Sequence, residues 1–385
     1  MSVCNALNEY LLELLRCGLN GQVPCEKPEG VSWQALFSAA RKHSVTSLAF
    51  QAVKRTASVV EPVVLSQWRD YNLIALAKYS AQVLELERLC DDFERLGTPY
   101  MPLKGSCIRR LYPQPAFREM ADLDILIPKK RLSECEALLS KRGYVMQSRQ
   151  SYHSEWERPP YMAVELHSAL IPYESEFRPF FADPWKNTVC ADGTHLTKQT
   201  LEDEYLYHLV HSAKHYFSGG TGIRSVLDVY IYKSAVGSEL DNAYLCRMLE
   251  KMRLSEFANS IEELAEAWFS CPGKPLHEDT AQMAQLILTS STFGSKGNYA
   301  VNTIRRYTQK GDSINRAKRR FFRSMLCPRY ADMCWMFPVL QKVPVLLPAC
   351  HLYRWGKLLV HKPGALIKKI IYINGIVKDK QRAGK

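Results

Sequence analysis

The chain has 385 residues, of which 46% are hydrophobic and 23% charged. These are ordinary globular values that exclude a disordered chain, a collagen and a coiled-coil rod. The length favours two units or one elaborated one, and the net charge of +12 is confined to one end. From Arg316 onward sixteen Lys and Arg face only Asp332 and Asp379, which leaves 35 bases against 37 acids in residues 1–315. A neutral body with a cationic tail bears on partners rather than on fold.

Residues 1–97 read as helical. Leu11, Leu12, Leu14 and Leu15 share one side of a first helix, Ser32 is a plausible N-cap for the run from Trp33 to His43, and Ser66 to Leu96 is a long amphipathic stretch without Pro or Gly. At Thr98 the pattern changes. Tyr100 to Leu103 is a short extended segment running into Lys104-Gly105-Ser106, followed by a helical piece from Cys107 to Tyr112 and a Pro-containing loop. Asp122 to Ile127 is β-rich and stops at Pro128, Lys130 to Arg142 is an amphipathic helix ended by Gly143, and Tyr144–Gln147 and Tyr161–Leu166 read as strands. Helices return over Leu201–Phe217, Ile223–Val236, Asp241–Leu254 and Ser260–Trp268. The expected organisation is a helical region (1–97), an α/β core (98–198), a second helical region (199–310) that completes the cleft, and a basic Pro-interrupted tail (311–385).

Twelve Cys at irregular spacings, with no C-x-x-C, fit a reducing compartment and indicate neither a zinc ribbon nor a redox pair. The first seventeen residues lack the continuous apolar run of a signal peptide, and no uncharged apolar stretch is long enough for a transmembrane segment. A cytoplasmic protein is expected.

The chemistry concentrates in the α/β segment. Asp122 and Asp124 are one residue apart on an expected strand, so alternation sends both carboxylates to one face. Two carboxylates that close repel unless a cation sits between them, and Mg²⁺ completes its shell with water and phosphate oxygens. Gly105 and Ser106 lie between strand and helix, where backbone N–H groups suit a phosphate. Lys104 and Arg118 flank the acidic pair and suit neutralisation of a triphosphate and its leaving pyrophosphate. Glu165, in Val164-Glu165-Leu166-His167, is an acid within an apolar strand and needs a partner.

The stretch LKGSCIRRLYPQPAFREMADLDILIP followed by VELH resembles the nucleotidyltransferase superfamily with the polymerase-beta-like fold, and more closely the bacterial family of uncharacterised nucleotidyltransferases. The resemblance implies an α+β fold: a small mixed sheet embedded in mostly helical N- and C-terminal regions. It further implies an ATP-binding, Mg²⁺-dependent enzyme that moves a nucleoside monophosphate from a nucleoside triphosphate, ATP in the first instance, to a hydroxyl or phosphate of an unidentified acceptor. Asp122, Asp124 and Glu165 would ligate two Mg²⁺ ions, with Mn²⁺ as a substitute. Glu165 would also help to deprotonate the acceptor, and Gly105 and Ser106 would hold the triphosphate. The fifteen residues between Ser106 and Asp122 exceed the spacing of compact superfamily members.

Other residues carry competing readings. His208, His211 and His215 share a helix face with Glu204, a pattern open to zinc but better explained by residues lining the groove or packing in the core. His167 either assists the acceptor or bonds Glu165, and Asp228 is expected to pair with Lys214 or Arg224. The loop Phe293–Gly297 could touch phosphate, though a surface turn explains it. In the tail, Lys318, Arg319, Arg320 and Arg323, and Lys368 and Lys369 within Leu366–Val377, suit an anionic membrane surface or a polyanion, or else a solvated basic face. An inactive nucleotide-binding adaptor docking through that tail is the alternative to an enzyme, and a toxin-like enzyme modifying RNA or protein is a third possibility.

Overall fold

A computed structural model describes residues 3–291 except Glu174, isolated positions between 316 and 334, and the stretch 337–361. The Phe293–Gly297 loop, Lys318 and the Leu366–Val377 segment lie outside the described residues. The chain forms two compact units, residues 1–213 with 221–292, and residues 214–220 with 293–385.

The first unit opens with helices α1 (Val3–Asn20), α2 (Trp33–Lys42), α3 (Thr46–Val53) and α4 (Pro62–Arg95). Ser32 caps α2, its hydroxyl accepting from the Ala35 amide at 3.1 Å. Pro62 opens α4, where the missing amide costs nothing. Five strands then form one mixed sheet in the order β1-β2-β5-β4-β3, with β1 Met101–Pro102, β2 Leu123–Leu126, β3 Val145–Arg149, β4 His153–Arg158 and β5 Met162–His167. A short helix α5 (Gly105–Ile108) follows β1, and α6 (Leu132–Lys141) follows β2.

Only β2 and β5 run parallel, which requires the chain to cross between them, and α6, β3 and β4 make that crossing. The remaining pairs are antiparallel. Side-chain alternation gives the sheet two unlike faces. Leu123, Ile125, Val164, Leu166 and Trp156 point to one side and pack with Leu89 and Phe93 of α4 and Cys135 and Leu139 of α6, all buried. The other side carries the carboxylates. A buried acid on α4, Glu85, is satisfied by Arg158 at 2.7 Å and by the Tyr144 hydroxyl at 3.1 Å, which anchors α4 to the sheet.

Strand β4 falls where no strand is expected, and a small hairpin, β6 (Thr188–Cys190) with β7 (Thr197–Gln199), is likewise additional. Beyond it come α7 (Leu201–Ser218), α8 (Ile223–Val236), α9 (Asn242–Met252), α10 (Ser255–Phe269) and α11 (Glu278–Thr289), and α8 packs against α10. The architecture is therefore α+β, a small mixed sheet within a mainly helical chain. In the second unit, α12 (Leu347–His361) supplies Leu347 and Cys350 to a small core with Met333, Cys334, Phe337 and Leu340. Among the described residues no helix is long and apolar enough to cross a membrane.

Candidate active site

Register builds the site. In the parallel β2–β5 pair Asp124 lies directly opposite Glu165, and in the antiparallel β5–β4 pair Glu165 lies opposite Glu155 and His167 opposite His153. Asp124, Glu165, His167, His153 and Glu155 consequently share the face turned away from the apolar core. Asp122 sits one residue before β2 begins, so it is not a strand residue. It is nonetheless held in the field of Asp124 and Glu165.

The charge arrangement is uneven. Lys104 Nζ lies 2.5 Å from Asp124 Oδ1 and 3.8 Å from Glu165 Oε2. His167 Nε2 lies 2.8 Å from the same Asp124 oxygen and 3.1 Å from Glu165 Oε2. Burial acts to raise the Asp124 pKa, but the Lys104 ammonium and the His167 ring outweigh it and hold this carboxyl well below its ordinary value. Asp122 has no such contacts. Burial, with Asp124 and Glu165 adding to it, pushes its pKa up to about 6 against the opposing charges of Lys104 and Arg224. By their chemistry Asp122, Asp124 and Glu165 could hold a hard divalent metal, while the donor atoms that lie within 4.8 Å of one another among the described residues are those of His153, Glu165 and His167.

The loop after β1 is tightly built. Lys104 precedes α5 with φ 50° and ψ −116°, a conformation that favours glycine. Its neighbour Gly105 has no room for a side chain: a Cβ there would lie 2.5 Å from Arg118 Nη1 and 2.9 Å from Met120 Sδ. The Ser106 hydroxyl is buried and without a hydrogen-bond partner.

Arg118, expected to flank the acidic pair, lies in the field of Asp124 but makes its direct contacts elsewhere. It is buried, and its Nε and Nη2 each donate to Asp228, both at 2.8 Å, in a two-pronged ion pair. Tyr112 donates to the same carboxylate at 2.7 Å. Asp228 therefore pairs directly with Arg118, while Arg224, one of its expected partners, shares its electrostatic field and donates to the Glu119 carbonyl. Arg118 Nη1 lies against Gly105.

The His-rich helix divides. His208 is buried, its ring nitrogen 3.8 Å from Asp228, and burial lowers its pKa to about 4. Glu204 is occupied by Arg110 at 3.3 Å instead of completing a zinc set with His208. His211 belongs to the unit that contains the sheet and His215 to the other. Three groups with no signal in the motif also bear on the site. The buried Tyr207 phenol shares the field of Lys104, Asp124 and Glu165, Lys78 of α4 lies in that of Asp122, and His153 comes from the unexpected strand. Tyr207 and His153 are detectable only once the helix and strand faces are known.

No curated protein is significantly similar to the chain. Two solved structures are similar to about half of it. One is the solution structure of the antibiotic-resistance factor ANT(2'')-Ia, with 14% identity, 47% of this chain and 97% of that one covered, and a TM-score of 0.36. The other is a crystal structure of ANT(2'')-Ia in complex with adenylyl-2''-tobramycin, with 15% identity, coverage of 49% and 97%, and a TM-score of 0.25. The model of the uncharacterised nucleotidyltransferase family matches residues 29–270, and with more than half of its length covered the chain belongs to that family and is a nucleotidyltransferase.

Proposed function

We propose that the enzyme moves a nucleoside monophosphate from a nucleoside triphosphate, ATP in the first instance, to a hydroxyl or phosphate of an acceptor, using Asp122, Asp124 and Glu165 to hold divalent metal, Mg²⁺ by preference. The observation that carries this reading is the register of the parallel β2–β5 pair, in which Asp124 faces Glu165 while Asp122 stands beside them in an uncompensated anionic field. The metal, when bound, would polarise the reacting phosphoryl oxygens and lower the pKa of an acceptor hydroxyl.

The chain's own residues supply the rest. The Lys104 ammonium, beside Asp124, is the cation nearest the carboxylates and is suited to the charge that builds on the departing pyrophosphate. Gly105 and Ser106 are the proposed phosphate contacts: Gly105 lets the loop pack against Arg118 and Met120, and the buried Ser106 hydroxyl has no partner within the protein. Arg118, locked by Asp228, is a positioning residue that fixes the loop's back surface. Glu165, 21% exposed and 3.1 Å from His167, is the carboxylate suited to accept a proton from an acceptor hydroxyl.

The test is pyrophosphate release or self-labelling with Mg²⁺ and labelled triphosphates, in wild type and in Asp124→Asn and Glu165→Gln. Activity in the wild type that both variants lose, with unchanged circular dichroism, is the expected result. Full activity in either variant refutes the assignment.

A further inference from the structure

The sheet face that carries Asp124 also carries two imidazoles that the carboxylate chemistry leaves unused. His153 on β4 and His167 on β5 are register partners, 5% and 0% exposed. Their rings stack with centroids 5.1 Å apart and planes at 29°. Glu165 Oε2 lies 3.1 Å from His167 Nε2 and 4.0 Å from His153 Nε2. One donor atom from each of His153, Glu165 and His167 lies within 4.8 Å of the other two, so these three converge on one point.

Hydrogen bonding alone accounts poorly for this cluster. His167 Nε2 faces two anionic oxygens, of Asp124 and Glu165, with at most one hydrogen to offer. The Nδ1 atoms of both rings are buried and have no partner. Lys104 serves the Asp124 oxygen from 2.5 Å, but Glu165 and His153, 4.0 Å apart, make no hydrogen bond to each other, and the two buried ring nitrogens go unmet. Two imidazoles and one carboxylate form a donor set suited to a borderline first-row transition ion, whereas Mg²⁺ prefers oxygen. Donors around a tetrahedral ion stand about 3.3–3.6 Å apart at bond lengths of about 2.0–2.2 Å. The separations of Glu165 Oε2 from His167 Nε2, 3.1 Å, and from His153 Nε2, 4.0 Å, lie on either side of that spacing, and His153 would have to leave Glu155 Oε1, 3.1 Å from its Nε2, to close the set.

We infer that His153, Glu165 and His167 form a binding site for a divalent transition-metal ion of the Zn²⁺ or Co²⁺ class, distinct in ligand chemistry from the three-carboxylate set and joined to it through Glu165. The Asp122 side of the centre takes a hard ion and the His153 side a nitrogen-seeking one, with the Glu165 carboxylate between them. The inference shares Glu165 with the proposed catalytic set, and its test reads binding of the metal alone, so either can fail without the other.

Metal-stripped full-length protein is titrated with Co²⁺, followed by visible d–d absorption and by calorimetry, in the presence of excess Mg²⁺. Wild type, His153→Ala, His153→Gln and Asp122→Asn are compared, with circular dichroism as the check on folding. The expected result is one Co²⁺ bound despite the Mg²⁺, without a thiolate-to-metal charge-transfer band. Loss of the ligand in His153→Ala and His153→Gln should weaken binding by more than the roughly 10–100-fold typical of supporting residues, and Asp122→Asn should change it less than about threefold. Retention of wild-type affinity by a folded His153 variant, or the absence of Co²⁺ binding by wild type, overturns the inference. Should both His153 variants misfold, the thermal shift of wild type decides it: no upward shift on adding Co²⁺ or Zn²⁺ beyond that given by Mg²⁺ also overturns it.

Discussion

The environment of Asp122 disfavours its charge, and neutralising it should stabilise the metal-free protein. Its carboxyl titrates at about 6 in the fold against 3.8 for an ordinary aspartate, because burial and the neighbouring Asp124 and Glu165 oppose ionisation. Between those values the native state binds more protons than the unfolded chain, so stability falls as pH rises through this window. A gap of about two pH units at about 1.36 kcal/mol each gives a cost of about 3 kcal/mol, absent below about pH 4 and complete above about pH 6. Asp122→Asn removes that cost while keeping the side chain's shape. For a unit of about 285 residues, with an unfolding entropy of about 2.1 cal/mol/K per residue, the gain at pH 7.5 corresponds to about 5 °C. The assay is thermal unfolding of both proteins in EDTA from pH 4 to pH 8. The variant should melt higher at pH 7.5 and together with wild type near pH 4, and added Mg²⁺ should close the gap by stabilising only the carboxylate form. A variant that melts lower than wild type at pH 7.5, or a difference that ignores pH, refutes the like-charge field on which this reasoning rests.

Asp228→Asn leaves the buried Arg118 guanidinium without its countercharge, and urea unfolding should record a loss of about 3–5 kcal/mol. A double variant, Asp228→Leu with Arg118→Met, should recover much of it, since two apolar residues of similar volume avoid the unpaired charge. Gly105→Ala brings a methyl to 2.5 Å from Arg118 Nη1, an atom held in place by Asp228, so the loop must shift instead. Pyrophosphate release should fall by at least about tenfold while stability drops by about 1–3 kcal/mol. An Ala variant with wild-type turnover would show that the loop's close packing is irrelevant to the reaction.

That Asp124 and Glu165 meet on one sheet face could be read before the fold was known because the signals are local. Asp122-Leu123-Asp124 and Val164-Glu165-Leu166-His167 each sit in apolar runs of strand length, and period-two alternation sends the acids of β2 and β5 to the same face. Strand β4 was not legible for the reason that makes it informative. His153-Ser154-Glu155-Trp156-Glu157-Arg158 has too little apolar character to look like a strand, since its polar side faces other side chains of the site and only Trp156 reaches the core. The partner of Arg118 was not legible because an arginine four residues before Asp122 has no sequence signal for Asp228, 110 positions later. Long-range charge pairing depends on helix packing, which a motif does not encode.

Lys104 combines a backbone cost with an electrostatic gain, and the two can be separated. Its φ of 50° with ψ of −116° is open to glycine and strained for lysine by about 1–3 kcal/mol. Against that, its ammonium sits 2.5 Å from Asp124 Oδ1, where it offsets the charge of a carboxylate deprived of water. Lys104→Met removes the charge and keeps the strain; Lys104→Gly removes both. If the backbone is strained as the dihedrals indicate, the Gly variant should be more stable than the Met variant by about 1 kcal/mol or more, after allowance for glycine's greater freedom in the unfolded chain. Both should lose pyrophosphate release by about 10²-fold or more, since neither can neutralise the leaving group. Thermal unfolding and the release assay measure the two quantities independently. Equal stability would place the cost of this turn elsewhere. An active Gly variant would mean that Lys104 balances the resting carboxylates and takes no part in the reaction.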